Sequence, residues 1–353
     1  MKFQRLRSLG VLILLVTLLG SAIIVLAAAV QYVAQDGHLE TGLATITETD
    51  LREDLRIIAH KNMQGRGSMD NGCELPSFFL GRELRKYGFE PLGDDETYFQ
   101  KFNFGNASQN VLGYLEGKDK NGLVVIGAHY DHVGLGETGR REGRRGEIFY
   151  GADDNGSGTV ALLELAEAFS ELAKQGIKPN RSILVCFWGA EEWGELGSQY
   201  FLQHLPQGVE LNNVAAYINM DMVGRNDPKE IFVFCAPVAD DATEAKEGDC
   251  KDLYEIVESV NKKLKLEFKI SHRDITEGRE GFQRTDGWTF YQADRGNQGK
   301  IPTIELFTGE HPDYHTPRDT YDKINYPKLT RVAKLAFGLA WQVSQMNGRP
   351  AYR

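Results

Sequence analysis

Apolar residues fall along this chain in two kinds of run that alternate. Leu123–Ile126, Ser182–Trp188, Val214–Ile218, residues 231–235 and Pro302–Leu306 are short and uninterrupted, with the β-branched content of strands buried on both faces. Between them lie amphipathic stretches. Val160, Leu163, Leu165, Ala166 and Phe169 predict a helix lasting to about Lys174, and further helices are expected near Leu196–Leu205, over 251–264 and over Pro327–Met346. Upstream, Leu51, Leu55 and Ile58 repeat at helical spacing after Thr49 or Asp50 as an N-cap, and Gly65-Arg-Gly67 breaks that pattern. A second helix is expected from Leu75 to Tyr87 with Gly88 at its C′ position. Residues 97–104 and 110–116 alternate and suggest two strands paired as a hairpin at a sheet edge, while 133–149, Gly- and Arg-rich, read as a loop. Strand–helix alternation of this kind predicts an α/β fold: a mostly parallel mixed sheet covered by helices on both faces. No repeat or linker divides residues 49–353, which read as one domain.

The amino terminus follows a different rule. Residues 1–7 carry Lys2, Arg5 and Arg7, and residues 8–30 are an uncharged stretch rich in Leu, Ile, Val and Ala. Such a stretch is long enough for a hydrocarbon core of about 30 Å, longer than the apolar region of about 7–15 residues in a cleaved signal peptide. A signal anchor with its basic end cytoplasmic is expected, with cleavage near Ala27-Ala-Ala29 as the alternative. Either way the remainder lies outside the cytoplasm, membrane-anchored or secreted, with 31–48 as a stalk. The formal charge of −10 excludes a nucleic-acid partner, which would need a basic face. Four cysteines are too few for a disulfide scaffold and form no CxxC pair; Cys186 reads as core, and Cys235 could bridge to Cys250.

Chemistry collects where the apolar runs stop. Gly127-Ala-His-Tyr-Asp-His132 ends one strand, Gly189-Ala-Glu-Glu-Trp193 the next and Asn219-Met-Asp221 the third. Gly151-Ala-Asp-Asp-Asn-Gly-Ser-Gly158 opens a helix, and Asp313-Tyr-His315 follows the last strand. An Asp after a strand is most often a cap, and two adjacent Glu most often a solvated helix start. Their joint occurrence at successive strand ends reads differently, because carboxylates gathered in one crevice repel unless a cation neutralises them. Histidine with carboxylate and no thiolate suits zinc. Three carboxylates and a hydroxide balance two divalent cations, which favours a two-metal site with a spacing of about 3.5–4 Å and one bridging carboxylate. Asp154, on a short Gly/Ser turn, is the candidate bridge.

These five motifs, in this order, resemble the M28 family of co-catalytic zinc aminopeptidases, whose fold is the zinc-dependent exopeptidase, phosphorylase/hydrolase-like three-layer sandwich. Weaker similarity reaches Gly65-Arg-Gly67 and Asn110-Val-Leu-Gly113. The resemblance implies two zinc ions per chain, one held by His129 and Asp221, the other by Glu192 and His315, with Asp154 bridging. It implies that Asp131 accepts the other N–H of the His129 imidazole, and that Glu191 takes a proton from the attacking water and passes it to the leaving amine. The implied substrates are peptides trimmed from the amino terminus, with no protease-associated insert domain. His132, Asp153 and Asp319 read equally as caps, supporting groups or participants. His311, four residues before His315, is kept off a shared helix by Pro312.

The chain departs from the family in one segment. Where many relatives carry Ser-Asp-His-x-x-Phe, it has Arg284-Thr-Asp-Gly-Trp-Thr-Phe290, so Trp288 and Phe290 are candidates for the substrate pocket or for plain core. The arginines Arg140, Arg141, Arg144 and Arg145 read as a solvated loop, with a substrate carboxylate as the alternative. Three other readings share the fold: a carboxypeptidase, a single-zinc glutaminyl-cyclase-like transferase and a non-enzymatic relative. The last expects gaps in the ligand set, and all five ligand positions are filled.

Overall fold

The computed structural model describes residues 37–69, 71–106, 108–136, 146–235, 251–273, 282–293, 295–296 and 299–350. The chain divides into two packing units, Met1–Thr41 and Gly42–Arg353. Of the first, residues 37–41 are described and helical. The basic segment 1–7 and the apolar stretch 8–30 lie outside the described residues. Among the described residues no helix is long and apolar enough to cross a membrane.

In the second unit the strands are β1 (Glu90–Pro91), β2 (Phe99–Lys101), β3 (Gln109–Leu115), β4 (Asp119–His129), β5 (Arg181–Trp188), β6 (Val214–Met220), β7 (Glu230–Cys235), β8 (Lys269–Arg273) and β9 (Thr303–Phe307). They form one sheet in the order β1-β3-β5-β4-β6-β9-β7-β8, with β2 also on β3. The middle, β5-β4-β6-β9, is parallel. On its flanks β3 runs antiparallel to β5 and β7 antiparallel to β9. The expected edge pair is present, Phe99 opposite Val111. Its first strand is shorter than the alternation of 97–104 suggests, because the Thr97 N–H turns back to the Asp94 carbonyl.

The helices are α1 (Glu48–Ile58), α2 (Glu74–Lys86), α3 (Gly158–Lys174), α4 (Leu196–Gln203), α5 (Lys251–Lys263), α6 (Asp286–Gln292) and α7 (Tyr326–Gln345). α1 begins before the expected cap, since Thr47 Oγ1 accepts from Asp50 N at 3.1 Å and Asp50 lies inside the first turn. Side chains alternate across β4. Leu123 and Val125 pack with Leu184, Trp188 and Tyr217 under Phe201 of α4 and Phe290 of α6. Val124 and Ile126, equally buried, point to the other face, where α3 and α7 lie against β4 and each other. The α/β sheet with both faces covered is therefore as expected. Three elements, β1, β8 and α6, have no signature in the sequence; α6 spans seven residues, too few for a helical period to repeat. Phe290, fully buried, stacks on Tyr217 at 3.8 Å between ring centres, which makes it core.

Candidate metal centre

Because β5, β4, β6 and β9 are parallel, their carboxyl ends share one edge of the sheet, where open α/β folds place ligands. The chain leaves that edge at His129, Trp188, Met220 and Phe307. Beyond β5 the chain enters a single 3-10 turn over Glu191–Trp193, and Glu191 and Glu192 join different groups of side chains. Ala190, Met222 and His315 adopt left-handed backbone, with φ of 55°, 47° and 53°. Such positions cost about 1–3 kcal/mol each and concentrate at functional sites. Here each is, or adjoins, a residue of the cluster.

Two groups of side chains converge: His129, Glu191 and Asp221, and His132, Asp154, Glu192 and His315. In the first, His129 Nε2 lies 3.3 Å from Asp221 Oδ1 and 3.7 Å from Glu191 Oε2. In the second, Glu192 Oε1 lies 3.0 Å from His315 Nε2 and 2.9 Å from His132 Nδ1. Asp154 joins them: Oδ1 is 3.5 Å from His129 Nε2, and Oδ2 is 2.6 Å from His315 Nε2. All seven candidates, Glu191 and Asp131 with His129, Asp154, Glu192, Asp221 and His315, are thus at one place. His132, to which the sequence assigns no single part, sits with the second group.

A buried layer holds these side chains. The Arg66 guanidinium, fully buried, donates to the carbonyls of Tyr130 at 2.6 Å, Tyr150 at 2.6 Å and Gly151 at 2.7 Å, and so ties the loop after β4 to the turn carrying Asp154. Asp131 faces the His129 ring, with Oδ1 3.6 Å from Nδ1 and its backbone oxygen at 3.3 Å. The short bonds of its carboxylate go elsewhere, to Glu191 N at 3.0 Å and Ser68 Oγ at 2.9 Å. Asp131 therefore positions Glu191 as well as His129. Asp319 Oδ2 accepts from the backbone N–H groups of Asp153 and Asp154 at 2.9 and 3.1 Å. Asp153 accepts from Gly224 N at 2.7 Å and faces His311 Nε2 at 3.3 Å, away from the two groups. Gly151 has φ 56°, and a Cβ there would lie 2.3 Å from the Asp154 carbonyl oxygen, so no larger residue fits beside the bridge. Arg66 and Ser68 are the functional residues the sequence hides; the one hint is an arginine between two glycines.

The donor set fits a divalent metal. His129 Nε2 and Asp221 Oδ1 are buried, 3.3 Å apart and make no hydrogen bond, so both atoms face the same point as possible ligand atoms. Burial, and then the charge of Glu192, holds the Asp154 carboxyl well above the usual carboxylate range. Burial does the same to Glu191, opposed by His129 and reinforced by Asp221. A cation removes that penalty. Imidazoles with carboxylates and no thiolate match zinc.

A cavity of about 170 Å³ opens onto Asp154, Glu191, Asp221 and His315 between walls of Met222, Phe234 and Phe307. Neither Trp288 nor Phe290 lines it; Trp288 packs beside Phe282 and Tyr291. Arg140, Arg141, Arg144 and Arg145 lie outside the described residues. Cys235 is disulfide-bonded and Cys73 and Cys186 are buried thiols, while Cys250 lies outside the described residues.

The fold is an α/β sheet whose carboxyl edge gathers histidine and carboxylate, and comparison with known proteins gives its family. The chain belongs to peptidase family M28, whose model matches residues 110–340. It is 34% identical over 175 residues to leupeptin-inactivating enzyme 1 of Streptomyces exfoliatus, covering 49% of this chain and 35% of that protein. It is 34% identical over 115 residues to leucine aminopeptidase 2 of Trichophyton equinum, covering 33% and 19%. The chain thus spans about a third or less of the length of these curated relatives. Among solved structures, Legionella pneumophila LapA aminopeptidase superposes with a TM-score of 0.65 at 22% identity over 88% of this chain and 75% of that one. The aminopeptidase of Aneurinibacillus sp. strain AM-1 gives 0.63 at 16%, over 89% and 98%. These two likenesses concern the fold.

Proposed function

We propose that the chain is a dizinc aminopeptidase that removes amino-terminal residues from peptides. The observation that carries this reading is the division of Asp154, one carboxylate oxygen toward His129 and the other toward His315. On this reading His129 and Asp221 hold one ion and Glu192 and His315 the other, with Asp154 shared and His132 close enough to Glu192 to orient it or to add a ligand. When bound, the ions supply Lewis acidity to the attacking water and to the scissile carbonyl. Glu191 is the proton acceptor: its burial keeps its basicity high, and Asp131 fixes its backbone. The same carboxyl returns the proton to the leaving amine. The relatives named as aminopeptidases support the amino-terminal direction.

The reading extends to location. The basic segment 1–7 before the apolar stretch 8–30, with a disulfide at Cys235, supports a catalytic domain outside the cytoplasm, anchored or released. Purified protein should contain two zinc ions per chain by elemental analysis and hydrolyse aminoacyl anilides in a chelator-sensitive way, sparing acetylated peptides. One ion per chain with cyclisation of amino-terminal glutamine would instead indicate a transferase, and release of carboxyl-terminal residues a carboxypeptidase.

A further inference from the structure

The cavity beside the metal centre contains a carboxylate that the proposed chemistry does not use. Glu305, on β9 and 1% exposed, lines it together with Thr285 and the apolar Met222, Phe234 and Phe307. Its Oε2 accepts from Thr285 Oγ1 at 2.5 Å and from Asn219 Nδ2 at 3.4 Å. Asn219 is held in turn by the Tyr217 hydroxyl at 2.7 Å, and that hydroxyl by Trp188 Nε1 at 2.8 Å, so the carboxylate is anchored through a chain that reaches into the core. Oε1 receives no hydrogen bond among the described residues. The chain also reserves space for this group: a Cβ at Gly287, in the segment that departs from the family pattern, would lie 2.7 Å from Glu305 Oε2. The exposed Arg284 and Glu310, 3.6 Å apart, stand at the mouth.

A cavity walled on part of its surface by Met222, Phe234 and Phe307 and lined by the buried Glu305 carboxyl suits a side chain with an apolar stem and a cationic tip. The stem removes apolar wall from water, and the tip gives the carboxylate its missing charged donor. We propose that Glu305 is the specificity-determining residue of this cavity, and that it selects peptides whose amino-terminal residue is lysine or arginine. The inference rests on the aminopeptidase reading, and its test keeps the two apart.

Lysine and norleucine share a four-carbon stem and differ in the terminal amine. With the zinc-loaded full chain, kcat/KM for lysyl anilide should exceed that for norleucyl anilide by about tenfold or more, the scale of one charged hydrogen bond. In Glu305→Gln that ratio should fall to about 1–2, because the neutral amide forfeits the charge. Free L-lysine and L-norleucine, titrated in thermal unfolding with and without zinc, read the same preference without turnover. Greater protection by lysine, abolished in Glu305→Gln, supports the inference even if no anilide is cleaved, a result that would sink only the aminopeptidase reading. Equal or better use of norleucine by the unaltered chain overturns the inference, as does protection by neither amino acid.

Discussion

Glu191 and Asp131 act through one hydrogen bond, from the Glu191 backbone N–H to the Asp131 carboxylate, and that bond separates their mutational signatures. Glu191→Gln keeps the shape of the site and removes the proton acceptor. It should retain bound zinc by elemental analysis and lose turnover by about 10²–10⁴-fold, the usual contribution of a general base. Undiminished turnover would refute the role. Asp131→Ala leaves Glu191 intact but frees its backbone and one side of the His129 ring. A loss of about 10–100-fold in zinc affinity, measured by competition with a chelator, is expected from removing such an outer partner.

At the scale of elements, Arg66 replaces regular structure as the connector between the loop after β4 and the turn before α3. Arg66→Met would leave several buried carbonyls without donors. The result should be a destabilisation of about 3–5 kcal/mol in urea unfolding, together with weaker zinc binding. The packing of α1 on α3 carries a different charge effect. Burial raises the Glu164 carboxyl to about 8 and the Asp54 carboxyl to about 7. Both keep their protons in the folded chain at pH values where the unfolded chain has lost them. Their contribution to stability is then greatest below about pH 4, falls as pH rises, and levels off above about pH 8. Glu164→Gln retains an acceptor for the Thr47 N–H, which Glu164 now receives at 3.0 Å. It should therefore stabilise the protein by about 1–3 kcal/mol at pH 8 and by little near pH 4, as read from urea midpoints.

At the scale of the whole molecule, the five carboxylates and imidazoles proposed as ligands crowd with Glu191 at one sheet edge. Metal binding and global stability should be linked. Stripping zinc with a chelator should lower the unfolding temperature, by the equivalent of about 4 kcal/mol when free zinc had stood about a thousandfold above its dissociation constant. An unchanged transition would argue against a built metal site.

Much of this was legible in the chain because strand burial and helix period are local. Leu123–Ile126 and Ser182–Trp188 announce themselves by composition, and the candidate ligands stand where those runs stop. His129, Asp154, Glu191, Glu192, Asp221 and His315 could be singled out on that ground, with the family resemblance supplying their roles. Only the tertiary structure decided which groups share a wall. Arg66 meets Tyr130 and Tyr150, Ser68 meets Asp131, and Glu305 meets Thr285 and Asn219, and no periodicity links such distant positions. Pairing in a sheet is non-local, so the register that brings Glu305 beside Asn219 is a property of β6 against β9 and of neither strand alone.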